Sequence, residues 1–237
     1  MQEPAITHIK ICGITNLEDA LFAARAGADL LGFILYERSP RYVSPASVRG
    51  IVRGLRARWA EQPASQQTLP RLAGVFVNET PDSVARIMQY AGLDYAQLHG
   101  DETPDALRAL AGCSYKAIRP QPQADDWDEW LQLAALGLQP GPSLLVDAFS
   151  PAAYGGTGHL ADWSLASAMA QRIPGMLLAG GLTPDNVASA LEAVSPWGVD
   201  VSSGVEASPG VKDHAAVAAF IATVRCFRDK TTPRSND

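Results

Sequence analysis

The chain has 237 residues, 47% hydrophobic, 19% charged and 7% aromatic, with a formal net charge of −6 at pH 7. That leaves ample apolar material for a core. A mildly acidic chain without a basic run argues against a nucleic-acid footprint or an anionic membrane surface as partner. Three scattered cysteines, Cys12, Cys113 and Cys226, form no disulfide framework and lack the spacing of a zinc site, so they point to a reducing compartment.

The first residues, Met1-Gln2-Glu3-Pro4, lack the basic and apolar stretches of a signal peptide, and no apolar run is long enough to span a bilayer. A cytoplasmic enzyme is the expectation. The first strand, Ile6–Cys12, runs into Gly13, and Thr15 or Asn16 caps a helix over Leu17–Ala26 that stops at Gly27. A strand at Leu30–Leu35 follows, and Ser44-Pro45 opens a helix reaching Arg58. The polar stretch Trp59–Pro70 reads as a surface loop before the strand Leu72–Val77. Thr80-Pro81 then announces a helix over Asp82–Ala91, the strand Tyr95–Leu98 follows, and Thr103-Pro104 announces Asp105–Leu110. After the strand Tyr115–Ile118, the loose stretches Pro120–Asp128 and Gly137–Pro142 bracket a fifth helix containing Trp127 and Trp130. Strands at Leu144–Asp147, Met176–Ala179 and Val199–Val201 complete the set. Thr183-Pro184 precedes a helix over Asp185–Val194, and the last helix covers about Lys212–Phe227. Residues 229–237 read as a polar, disordered tail, which leaves 1–228 as one domain.

Eight strand–helix units in alternation predict an α/β fold with a parallel sheet, and at this length a single (β/α)8 TIM barrel. An open doubly wound sheet is the alternative. The lack of an early G-x-G-x-x-G fingerprint favours the barrel.

In such a barrel the site lies at the C-terminal ends of the strands. Those ends supply Cys12, Arg41 from Ser39-Pro40-Arg41-Tyr42, His99, Asp147, Gly180-Gly181, Asp200 and Ser203-Gly204. Glycines after strands 7 and 8 let backbone N–H groups approach a phosphate, although either pair alone also serves an ordinary tight turn. Tyr154-Gly155-Gly156-Thr157-Gly158 is a hinged covering loop or a plain flexible turn. Asp147 ends an apolar strand, where it is either a general acid or a turn-capping carboxylate. Arg41 is a carboxylate clamp or a solvated loop cation. Cys12 is a buried structural thiol, a nucleophile or a proton-abstracting base. A base role calls for a nearby cation or the helix N-terminus beyond Thr15 to favour the thiolate.

Several motifs occur in one order along residues 7–225: Lys10-Ile11-Cys12-Gly13-Ile14-Thr15, Ser39-Pro40-Arg41-Tyr42-Val43-Ser44, Gly74-Val75-Phe76-Val77-Asn78, Gln97-Leu98-His99-Gly100-Asp101-Glu102, Gly155-Gly156-Thr157-Gly158, Leu178-Ala179-Gly180-Gly181-Leu182 and Val199-Asp200-Val201-Ser202-Ser203-Gly204-Val205-Glu206. This ordered set resembles the phosphoribosylanthranilate isomerases of tryptophan biosynthesis. The resemblance implies an Amadori rearrangement of N-(5-phosphoribosyl)anthranilate, with no cofactor and no metal. It implies Asp147 as general acid, Cys12 as general base and Arg41 on the anthranilate carboxylate. Gly156, Gly180, Gly181, Ser203 and Gly204 fall in substrate- and phosphate-binding loops. Asp200 and His99 are implied as further substrate contacts, the role of His99 being open. The expected partner is a small phosphorylated substrate, and the expected assembly a monomer or weak homodimer. Neighbouring barrels fit less well: a histidine-pathway isomerase would carry aspartate at position 12, and an indole-glycerol-phosphate synthase would want more strand lysines than Lys10 and Lys116. A non-catalytic phosphosugar-binding barrel would need the glycine loops but not both Cys12 and Asp147.

Overall fold

The computed structural model describes residues 7–61, 68–120, 127–138, 141–147 and 163–231. Eight parallel strands close into a barrel in sequence order: β1 (His8–Cys12), β2 (Leu30–Ile34), β3 (Arg71–Phe76), β4 (Tyr95–Leu98), β5 (Ser114–Ile118), β6 (Leu144–Asp147), β7 (Met176–Ala179) and β8 (Gly198–Val201). Pairing of β1 with β8, including Lys10 opposite Asp200, closes the ring and leaves no sheet edge. The helices α1 (Leu17–Ala26), α2 (Pro45–Ala60), α3 (Pro81–Ala91), α4 (Pro104–Ala109), α5 (Trp127–Leu136), α6 (Ser164–Arg172), α7 (Val187–Val194) and α8 (His214–Thr231) follow the strands in turn. The closed barrel excludes the open-sheet alternative.

Strand alternation divides the core into two layers. Ile9, Ile11, Leu31 and Phe33 pack outward with Ala20, Ala23, Val217 and Phe220 of the helices. Tyr115, Ala117, Leu145, Leu177 and Ala179 make a separate inner cluster. The interior also buries polar groups from β1, β4 and β8, namely Lys10, Gln97 and Asp200. Unpaired, these would be costly to bury, and their partners lie directly below the site.

The capping signals are partly correct. The Asn16 side chain accepts from Asp19 N at 2.8 Å and caps α1, while Gly27 ends that helix in the left-handed conformation. Ser44 and Thr80 cap α2 and α3 in the same manner. Thr183 does not cap α7, which starts later, at Val187. There the Asn186 side chain folds back, accepting from Thr183 N at 2.8 Å and donating to Gly181 O at 2.9 Å, so the stretch before α7 is a turn braced against the end of β7. The last helix also starts late. Lys212 belongs to a two-stranded ribbon, β9 (Glu206–Ser208) with β10 (Val211–Lys212), and Asp213 accepts from Ala215 N and Ala216 N to start α8. The α8 helix continues to Thr231, beyond the expected domain end at 228, and residues 232–237 lie outside the described residues.

Candidate active site

At the C-terminal end of the barrel a cavity of about 400 Å³ is lined by Cys12, Arg41, His99, Arg119, Asp147 and Asp200, together with residues 180–182 and 201–204. A larger hollow of about 790 Å³ lies at the opposite end, around His8, Asp29 and Trp197. Chemistry, not size, selects between them: only the first combines a thiol, an acid and glycine-rich turns at strand C-termini, where barrel sites are built.

Cys12 is the last residue of β1, and alternation turns it to the barrel interior, on the same face as Lys10. Lys10 has no exposed surface, and its Nζ donates to Asp200 Oδ1 at 2.8 Å. Burial works against the Lys10 charge, but the Asp200 carboxylate, together with Cys12 and Tyr115, more than offsets it and raises the Lys10 pKa well above the usual lysine range. Burial pushes the Cys12 thiol up, and the ammonium groups of Lys10 and Lys212 pull in the opposite direction. Two buried lysines are therefore among the cations facing this thiol, a source of stabilisation distinct from the N-terminus of α1.

Arg41 is tied down from the far end of the chain. Its Nε lies 2.8 and 3.0 Å from the two Glu206 oxygens, and its Nη2 donates to Oε2 at 2.7 Å. Lys212 Nζ completes the group, donating to Glu206 Oε1 at 2.9 Å and to Ser202 O at 3.1 Å. Burial alone would raise the Glu206 carboxyl, but the hydrogen bonds from Arg41 and Lys212 outweigh it and hold it below the usual range. A forked guanidinium gripped along one edge presents its other edge in a fixed direction. Arg41 is thus not a freely solvated loop cation.

His99 is reached through a buried relay. The Tyr115 hydroxyl donates to Gln97 Oε1 at 3.0 Å, and Gln97 Nε2 lies 2.9 Å from His99 Nδ1. On the other side, Arg119 Nη2 lies 3.2 Å from His99 Nε2, and Arg119 Nε donates to Asp147 Oδ2 at 3.1 Å. Burial, helped by the Arg119 guanidinium, lowers the His99 pKa and so favours the neutral ring. The loop carrying His99 is held from below: Lys116 Nζ binds Leu98 O, Gly100 O and Glu102 Oε2 at 3.2, 2.6 and 3.1 Å.

The glycine-rich turns are shaped by steric need. Gly180 and Gly181 have φ of 103° and 64°, the left-handed region that side chains disfavour. A Cβ at Gly204 would sit 1.9 Å from Leu182 O, so the turns after β7 and β8 touch through bare backbone. Beside them the Ser202 hydroxyl is buried with no hydrogen-bond partner among the described residues, and it lies where a Cβ on Gly13 would meet it at 2.9 Å. Gly156 lies outside the described residues.

The model of the family described as N-(5'-phosphoribosyl)anthranilate (PRA) isomerase matches residues 9–223. The chain belongs to this family. A relative of that name from Geobacter metallireducens is 45% identical over 217 residues, covering 91% of this chain and 98% of its own. The solved phosphoribosyl anthranilate isomerase of Thermotoga maritima is 39% identical, with a TM-score of 0.77 over 93% of this chain and 100% of that one. A further solved isomerase is a complex with reduced 1-(o-carboxyphenylamino)-1-deoxyribulose 5-phosphate, 36% identical with a TM-score of 0.75, covering 93% of this chain and 100% of the other.

In this member of the PRA isomerase family the expected site residues that lie among the described ones come together in space. Cys12, Arg41, His99, Asp147, Asp200, Gly180, Gly181, Ser203 and Gly204 all line one space. The supporting residues Lys10, Gln97, Tyr115, Glu206 and Lys212 are not singled out as site residues by the sequence. Lys10, Gln97 and Glu206 sit inside the quoted motifs, and an unusual charge on an apolar strand is a signal for the first. What the sequence does not show is the long-range pairing: 190 residues separate Lys10 from Asp200, and 165 separate Arg41 from Glu206.

Proposed function

We propose that the chain isomerises N-(5-phosphoribosyl)anthranilate to 1-(2-carboxyphenylamino)-1-deoxyribulose 5-phosphate, the Amadori step of tryptophan biosynthesis. The observation that carries this reading is the convergence on one cavity of a thiol, a carboxyl, an edge-held guanidinium and two bare-backbone turns. The substrate asks for each of them: a base, an acid, a carboxylate partner and a phosphate cradle. The compound bound by the solved isomerase complex bears the same carboxyphenylamino and phosphate ends.

In this reading Asp147 gives its proton to the ribose ring oxygen. The C1–O bond breaks, and the anthranilate nitrogen forms a C=N bond to C1. Cys12, as thiolate, takes the proton from C2, which the neighbouring iminium has made acidic. The C2–H electron pair becomes the C1=C2 bond of an enolamine, and the nitrogen regains its lone pair. Tautomerisation then places a proton on C1 and removes one from the C2 hydroxyl, leaving the ketone. Atoms balance, and oxidation at C2 matches reduction at C1. Arg41 receives the anthranilate carboxylate on the edge that Glu206 leaves open, while Gly181, Ser203 and Gly204 offer backbone N–H groups to the phosphate. Asp200 and His99 line the sugar between these ends. Gly156 belongs to a loop proposed to cover the bound substrate.

The direct test is the purified chain with freshly prepared substrate, together with growth of a tryptophan auxotroph lacking this step. Turnover and rescued growth are the expected results. Absence of both, with folded protein present, rejects the assignment. Arg41→Ala is expected to raise KM about 10- to 100-fold, the cost of one or two charge-assisted hydrogen bonds, with a smaller effect on kcat. An unchanged KM rejects the carboxylate contact.

A further inference from the structure

Among the described residues, Lys10 is a long charged side chain with no exposed surface, and the chemistry above assigns it no step. Removing an ammonium from water costs several kcal/mol, and a leucine or methionine fills such a site as well or better when only packing is at stake. Lys10 lies two residues before Cys12 on β1, so the two side chains share the inward face. Asp200, its register partner on β8, fixes the ammonium at 2.8 Å. On the other side β2 places Gly32 opposite Cys12. A Cβ there would meet Cys12 Sγ at 2.7 Å and Lys10 Nζ at 3.1 Å, so thiol and ammonium close over the same patch of bare backbone.

We propose that Lys10, locked by Asp200, is a positioning residue for the base: its ammonium faces Cys12 Sγ across Gly32 and stabilises the thiolate that takes the C2 proton. This rests on the reading of Cys12 as base. The other groups facing the thiol are Asp200 of β8, Tyr115 of β5, Arg41 after β2 and Lys212 of β10. Of these, Asp200 opposes the thiolate, and its carboxylate is the one Lys10 neutralises. Lys10 therefore acts twice, by its own charge and by cancelling that of its neighbour. Burial pushes the thiol up, so loss of this cation leaves the upward push less opposed.

The test uses full-length chain carrying Cys113→Ser and Cys226→Ser, so that Cys12 is the one remaining thiol, and follows its alkylation by iodoacetamide against pH. Lys10→Met is expected to move Cys12 ionisation up by at least one pH unit and to lower turnover at neutral pH about tenfold, the rate returning as pH rises. Lys10→Arg keeps a cation in place and is expected to shift the ionisation far less. Because Lys10→Met leaves Asp200 without its partner, a second variant, Lys10→Met with Asp200→Asn, removes both charges and is read by thiol titration alone; its upward shift is expected to be smaller than that of Lys10→Met, since the opposing carboxylate goes too, but still present. A folded variant of either kind with unshifted Cys12 ionisation overturns the proposal. Retained turnover in Cys12→Ser would instead overturn the reading of Cys12 as base, so the two failures are separable.

Discussion

Cys12→Ser lowers kcat by about 10²- to 10⁴-fold, the usual worth of a positioned general base, and leaves KM within a few-fold. Serine keeps the size and place of the side chain at the end of β1, but its hydroxyl does not ionise in the range where a thiol does. The buried position sharpens the contrast, because an alkoxide between β1 and β2 would be far less stable than a thiolate facing Lys10 and Lys212. Asp147→Asn is expected to give a loss of similar size, since the carboxamide keeps the shape at the end of β6 without a transferable proton. The two losses have different characters. The acid acts at ring opening and the base at C2, so substrate supplied in its ring-opened imine form would partly restore the Asp147→Asn variant and leave Cys12→Ser slow. Steady-state kinetics on both variants, with circular dichroism to verify folding, decides the matter. Near-wild-type kcat in either would sink the acid–base pair.

Gly204→Ala is the second large effect. The added methyl would fall 1.9 Å from Leu182 O and 2.9 Å from its carbonyl carbon. Both are backbone atoms, so no side-chain rotation relieves the clash, and the turns after β7 and β8 must separate. Those turns are the proposed phosphate cradle. Each backbone N–H displaced from the phosphate forfeits a charge-assisted hydrogen bond, about 1.5–3 kcal/mol. KM is therefore expected to rise about 10- to 100-fold or more, and kcat to fall with it as the sugar shifts relative to Cys12 and Asp147. Competitive inhibition by inorganic phosphate supplies the independent readout: it should weaken in step with KM. Parity with the parent protein in both measurements would place phosphate binding elsewhere.

The strand ends explain why so much of this site is legible in the sequence. A barrel of alternating strands and helices sends its strand C-termini to one face, so Cys12, Asp147 and Asp200 share that face whatever their separation in the chain. The starts of α2 and α3 are legible for a similar reason, since a serine or threonine followed by proline satisfies a local requirement. Where the same signal fails, at Thr183, a competing local bond wins: Asn186 reaches back to Gly181 O and Thr183 N and delays the helix. Lys212 escapes the expected helix because its ammonium is drawn inward by Glu206 and Ser202 O.

What the sequence determined by itself was therefore the repeating unit, the number of barrel strands and the identity of the residues at each barrel strand's end, all set by local periodicity and turn chemistry. What only the tertiary structure decided was the charge around them. The Lys10–Asp200 pair forms when β8 closes on β1, and the Arg41–Glu206–Lys212 group forms when the turn after β8 meets the loop after β2. Coulombic forces and desolvation depend on distance through space and on exclusion of water. Neither quantity is written in the spacing of residues along a chain, and both act on the thiol at the end of β1.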